Sequence, residues 1–221
     1  MKSLLKVFLI IATIFATTFL LIKFTGVLNI EQIENWLTQA KELSPIYVAA
    51  IVALLLFSDL FIAIPTLTVT IMSGYFLGHF YGASAALTGV LLAGICGYAL
   101  SHYYGDSILG FLIKNKTERL DATRTFQKHG FVMIILSRAM PILPETTACL
   151  SGMTRLPFLK FLIAWLISSV PYILIATYAG SVSNLQNPKP AIFTAIGISI
   201  FLWLSWFFFH RMNTKNNITK A

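Results

Sequence analysis

Charge is what this sequence has least of. Over 221 residues there are 16 Lys and Arg and 8 Asp and Glu, 11% of the chain, against 57% apolar. A soluble domain carries about 25% charged residues, and so few ionic side chains cannot cover the surface of a soluble fold this long. The same shortage excludes intrinsic disorder, which combines low hydrophobicity with high charge. Cysteine is also scarce. Cys96 and Cys149 lie in apolar stretches, with no CxxC and no histidine at ligand spacing, so buried thiols are expected rather than a disulfide or a metal site. Phosphate-cradling glycine motifs are missing. So are a nucleophile-base pair and a carboxylate or histidine cluster able to hold Mg²⁺. Ser73-Gly74 and Ser151-Gly152 lack the first glycine of G-x-S-G, because Ile71 and Cys149 stand there. Neither an enzyme nor a cofactor is expected. What remains is an all-α, polytopic integral membrane protein.

The apolar residues fall in runs. Leu4 to Ile22 is a first spanning candidate, too long for a signal-peptide core and without a clear cleavage site, and is expected to be an uncleaved anchor. From Asn29 to Leu43, Ile30, Ile33, Leu37 and Ala40 recur at helical spacing, which predicts a short amphipathic helix on the membrane surface, ended by Pro45. Ile46 to Tyr104 is almost continuously apolar but interrupted by Asp59, Pro65 and several glycines. It holds either three tight spans or one helix-break-helix hairpin followed by a span from about Gly82. Gly105 to Gly130 is polar and basic and is expected to be a cytoplasmic loop with a short surface helix. Phe131 to Ser137 re-enters, yet Arg138, Pro141, Pro144 and Glu145 follow after seven apolar residues, roughly 10 Å of helix. Phe161 to Ala179 and Ala191 to Phe209 are further spans. Three segments result: 1–45 with anchor and surface helix, 46–180 as the membrane domain with re-entrant hairpins at about 46–80 and 131–156, and 181–221 with a last span and a basic tail.

The net charge of +8 resembles a nucleic-acid footprint, but its distribution excludes that partner. With both interrupted segments read as hairpins and the N-terminus cytoplasmic, Lys2, Lys6, Lys114, Lys116, Arg119, Arg124, Lys128, Arg155, Lys160, Arg211, Lys215 and Lys220 fall inside. Lys23, Lys41 and Lys189 fall outside. The positive-inside bias then explains nearly all the basic residues and predicts both termini cytoplasmic in an inner, or plasma, membrane.

Three charges are left at membrane depth: Asp59, Arg138 and Glu145. Each charge at a helix centre costs about 2.5–3.5 kcal/mol, so they are expected to be paired, neutralised or hydrated. One reading is a polar cavity where the Arg138 guanidinium grips an anionic group while Asp59 and Glu145 exchange protons. The other is a buried arginine-carboxylate bridge that only holds the hairpins together. Pro65, Pro141 and Pro144 are the expected helix breakers, and Gly74, Gly78, Gly82 and Gly152 the expected close-packing positions. His102 and Asp106 stand four apart without a third ligand, as an interfacial pair. A faint repeat at an offset near 78 residues pairs Ser73-Gly74 with Ser151-Gly152 and Tyr104-Gly105 with Ala179-Gly180. Two inverted units of hairpin plus spanning helix would give that pattern, as in secondary transporters.

The stretch from Ser137 through Arg138, Pro141 and Pro144 to Glu145, then Ser151-Gly152 and Tyr178-Ala179-Gly180, resembles the second half of the DedA superfamily, also called the VTT or SNARE-associated Golgi protein domain. Ile64-Pro65, Ser73-Gly74 through Gly82, and Tyr104-Gly105 resemble its first half. The resemblance implies two facing re-entrant hairpins and movement of a phospholipid or polyprenyl phosphate across a bilayer, with Arg138 as the hairpin arginine. Pro144 occupies the place of a second family arginine, as in the yeast-Golgi-like branch. Thr66 and Leu67 follow Pro65 where an aspartate is common. The expected partners are membrane lipids with an anionic headgroup, and protons; a homo-oligomer is left open. The alternatives are a proton- or cation-coupled transporter of a small soluble solute and an assembly scaffold.

Overall fold

The computed structural model describes residues 2–25, 30–62, 64–139 and 143–183, with a few positions between 193 and 200. Every regular element among them is helical. Helix α1 is Lys2–Thr25, α2 Ile30–Leu43, α3 Pro45–Ser58, α4 Thr66–Leu77, α5 His79–Leu112, α6 Lys116–Leu136, α7 Leu143–Met153 and α8 Phe158–Val182, with a 3₁₀ turn at Ser137–Ala139. The expected span at Ala191 to Phe209 and the basic tail lie outside the described residues, as does Pro141.

Local chemistry sets the boundaries. Ser44 caps α3 by accepting from the Ile46 amide, and Pro45 takes the first helical position, where its missing N–H is harmless. Asn115 accepts from the Thr117 amide to start α6. Between α4 and α5 the chain turns at Gly78, whose φ is 76°. Ser73 Oγ donates to the Gly82 carbonyl at 2.7 Å across that turn.

Among the described residues two helices are long and apolar enough to cross a membrane, His79–Gly105 within α5 and Phe158–Val182. Helices α3, α4 and α7 have 14, 12 and 11 residues. At ~1.5 Å per residue they are about 16–21 Å long, well short of a ~30 Å hydrocarbon core.

The packing is crossed. Helix α7 lies mainly against α5, and α4 mainly against α8, so the second short helix of each half packs on the long helix of the other, while α3 packs on α5. Glycines make this approach possible. A Cβ on Gly74 would meet the Thr177 main chain, and one on Gly180 the Ile71 carbonyl. A Cβ on Gly152 would meet the Tyr98 carbonyl and one on Gly105 the Met153 Cα. The glycines equated by the repeat thus occupy equivalent seams.

Four expectations are corrected. The Gly105 to Gly130 stretch is not a loop: α5 continues to Leu112, and α6 starts at Lys116. Gly105 and Gly110 face neighbouring helices and do not break their own. Helix α2 spends its apolar face on protein, since Ile33 and Leu37 are fully buried. Pro144 stands in the first turn of α7, starting a helix where a break was expected. Gly78 is not a packing position, because a Cβ there would meet nothing within 4 Å; its positive φ is what requires glycine.

Candidate functional site

The two breaks in the helices carry the three membrane-depth charges, for different local reasons. Asp59 ends α3 and reaches across the first break. Its Oδ1 accepts from the Ile64 amide at 2.7 Å and its Oδ2 from the Thr66 hydroxyl at 2.6 Å. The carboxylate thereby replaces main-chain partners that the chain loses between α3 and α4. Arg138 sits in the 3₁₀ turn after α6, and Glu145 in the first turn of α7.

These side chains converge. Asp59, Arg138 and Glu145 line one small pocket with Leu56, Leu60, Val90, Ala93, Ala148 and Trp165, mostly apolar and with room for about one water molecule. Val90 and Ala93 lie near the middle of the apolar part of α5, so the pocket is half-way along it. The Asp59 and Glu145 carboxyl groups stand close enough to act on each other's charge.

Arg138 is held by an aromatic bracket. Its guanidinium carbon lies 5.2 Å from the centre of the Trp165 ring and 5.5 Å from that of Tyr172. Nη2 donates to Ser169 Oγ at 2.9 Å, and Nε is buried without a partner. Trp165, Ser169 and Tyr172 come from one face of α8, four and three residues apart. Trp165 is seated in turn: its indole N–H donates to the Val90 carbonyl at 3.2 Å, and its ring fills the space a Cβ on Gly94 would take. No ion pair joins Arg138 to Asp59 or Glu145 among the described residues. The guanidinium is therefore held at the pocket by Trp165, Tyr172 and Ser169, while both carboxylates still feel its charge. An oxyanion is the ligand such a fork fits.

The family model of the VTT domain matches residues 64–182, from the first break to the end of α8. The chain belongs to the VTT domain family. This is the DedA and SNARE-associated Golgi group, whose proteins are membrane proteins. No curated protein and no solved structure gives a significant match.

Within the VTT domain match lie Arg138, Glu145 and the α8 bracket; Asp59 precedes it by five residues and still reaches Thr66 inside it. Pro65 is the residue before α4, at the first break, and Gly74, Gly82 and Gly152 stand at helix contacts. The remaining titratable candidates do not join the pocket. His79 opens α5 and bonds Thr177 Oγ1 at 3.2 Å. His102 stacks on Tyr98. No group of three His, Cys, Asp or Glu able to hold a metal occurs among the described residues. Sequence reading missed the bracket, because Trp, Ser and Tyr within an apolar span are common. The signal was their spacing on one helical face.

Proposed function

We propose that this VTT domain protein is a multi-pass inner-membrane transporter that moves a lipid with an anionic headgroup, a phospholipid or polyprenyl phosphate, across the bilayer. The observation that carries the reading is that Arg138 lines a mid-length pocket with Asp59 and Glu145 while making no ion pair with either. In this reading the pairs α3–α4 and α6–α7, of which α3, α4 and α7 are too short to cross, are two re-entrant hairpins whose tips meet at the bilayer midplane. Irregular backbone at that depth is tolerated where protein or a polar cavity covers it. The headgroup slips past the tips on Arg138 while its chains stay in lipid, and the Asp59–Glu145 pair takes up or releases a proton as the anion arrives or leaves. The crossed seams support two inverted units.

The test is translocation of a headgroup-labelled anionic lipid by the purified full chain in proteoliposomes. Arg138→Ala is expected to abolish it with the fold retained. Unchanged translocation overturns the mechanism. A pH-gradient-driven flux of a small solute without lipid movement selects the solute-transporter alternative.

A further inference from the structure

We propose that the end of the bundle made by the last turns of α5, the first half of α6 and the α7–α8 turn is a docking surface for anionic phospholipid headgroups, separate from the central pocket. The inference rests on the membrane-embedded reading but not on Arg138 or on transport.

Three side-chain bonds hold this surface together. Arg119 Nη2 donates to the Ile113 carbonyl at 3.2 Å, closing α6 onto the end of α5. Gln127 Nε2 donates to the Thr154 carbonyl at 2.8 Å, and Lys160 Nζ to the Gln127 carbonyl at 3.3 Å. These tie α6 to the α7–α8 turn and to the start of α8. Lys114, Lys116, Arg124, Lys128, Arg155 and Lys160 are exposed here. Two exposed acids, Glu118 and Asp121, oppose them among the described side chains.

Position and lining identify the partner. The apolar part of α5 ends at Gly105, and α8 begins at Phe158. The basic groups therefore lie at the end of both candidate spans, at the level where headgroups would lie. Large apolar side chains adjoin them: Tyr103 is 81% exposed, Phe111 84% and Leu159 66%. A basic surface rimmed by apolar groups fits an amphiphile, charge on the lysines and arginines and chains along the rim. The opposite ends of the same helices carry Phe80, Tyr81 and Tyr178, beside Tyr75 of α4, with no Lys or Arg at residues 75–82 or 176–183.

Arg155 stands at the α7–α8 turn of this surface. It ends α7 with φ 53°. The Leu156 amide donates to the Ser151 carbonyl and the Arg155 amide to the Gly152 carbonyl, both at 3.0 Å. That is a Schellman cap, whose left-handed position suits glycine. An exposed arginine is held there against backbone preference.

The test uses the purified full chain in neutral detergent, titrated with phosphatidylglycerol or with phosphatidylcholine and read by Tm. Phosphatidylglycerol is expected to raise Tm and phosphatidylcholine not to, with the difference shrinking in high salt. Lys128→Gln/Arg155→Gln/Lys160→Gln is expected to weaken the phosphatidylglycerol response at least about tenfold in apparent affinity. Lys128→Arg/Lys160→Arg is expected to retain it. The triple substitution added to Arg138→Ala is expected to remove the part of the response that Arg138→Ala keeps, which separates this surface from the transport site. Loss of the response in Arg138→Ala alone would move headgroup binding to the pocket and overturn the proposal. So would a salt-insensitive response, a triple variant that responds normally, or stabilisation by poly-glutamate in place of phosphatidylglycerol, which would assign the surface to an acidic protein. If the triple variant does not fold, Arg155→Gln alone and the salt titration decide.

Discussion

The Arg138 guanidinium carbon lies 5.2 Å from the centre of the Trp165 ring, a ring whose own N–H is bound to the Val90 carbonyl. The charge at the pocket is thus positioned through α8 and α5 and not through a carboxylate. Cation–π contacts contribute about 0.5–2 kcal/mol, so Trp165→Leu is expected to slow lipid translocation roughly 2- to 30-fold. Arg138→Lys is expected to fail as a replacement. An ammonium carries the charge but lacks the plane that lies between Trp165 and Tyr172, and the fork that reaches Ser169. Initial rates in proteoliposomes check both. A fully active Arg138→Lys would show that charge alone suffices.

Asp59 and Glu145 differ in how their oxygens are used, and this separates structure from chemistry. Both Asp59 oxygens receive donors from across the first break. In Asp59→Asn one oxygen becomes an amide that faces an N–H or O–H donor. A lost or mismatched buried hydrogen bond costs about 1–3 kcal/mol, so Tm is expected to fall. Glu145→Gln retains a side chain able to donate to Asp59, and its Tm is expected to stay near that of the parent while translocation is lost. Thermal unfolding run beside the transport assay reads the pair. Equal loss of Tm in both variants would assign Glu145 a structural role as well.

The seams between α4 and α8 and between α5 and α7 leave no room for a methyl group. Gly74→Ala and Gly152→Ala each place a Cβ against main chain of a neighbouring helix, and overpacking of this kind costs about 1–3 kcal/mol or more. Gly180→Ala pushes apart the seam that Gly74→Ala already opens, so the double variant is expected to be less destabilised than the two effects added. Gly78→Ala meets open space and suffers only the left-handed backbone penalty, about 1–2 kcal/mol. Tm values of the four single variants and the double variant in detergent test this ordering.

Much of this arrangement was legible before the structure, for identifiable reasons. A charge in an apolar run is conspicuous because it is expensive, so Asp59, Arg138 and Glu145 stood out. That they share one pocket follows from the crossed packing, which the repeat of Ser-Gly and Tyr-Gly pairs foreshadowed. The length of α5 was not legible. Glycine weakens an isolated helix, and Gly105 looked like an end, but its missing side chain is what lets Met153 approach and the helix run on to Leu112. The partner of Asp59 was hidden too. Thr66 stands where the family resemblance implies an acid, and in this chain that position is met by an acid reaching forward from before Pro65. The bracket on α8 was invisible to composition, because only the position of Arg138 distinguishes Trp165, Ser169 and Tyr172 from other residues of an apolar span.

Arg155 offers a prediction in which stability and binding move in opposite directions. Its φ of 53° lies in the left-handed region, where a residue with a Cβ costs roughly 1–2 kcal/mol relative to glycine, and its side chain is exposed. Arg155→Gly relieves that strain, since the Schellman bonds from the Arg155 and Leu156 amides need no side chain, and is expected to raise stability by up to about 1 kcal/mol, less whatever the side chain's own contact contributes. The same substitution removes one of the six exposed charges at this end of the bundle, and is expected to weaken the response to phosphatidylglycerol. Arg155→Ala keeps the strain and loses the charge, so it should weaken the lipid response without stabilising. Tm without lipid and with each lipid, compared across the two variants, separates backbone strain from charge. A glycine variant that is more stable yet responds to phosphatidylglycerol as the parent does would show that Arg155 has no part in headgroup docking.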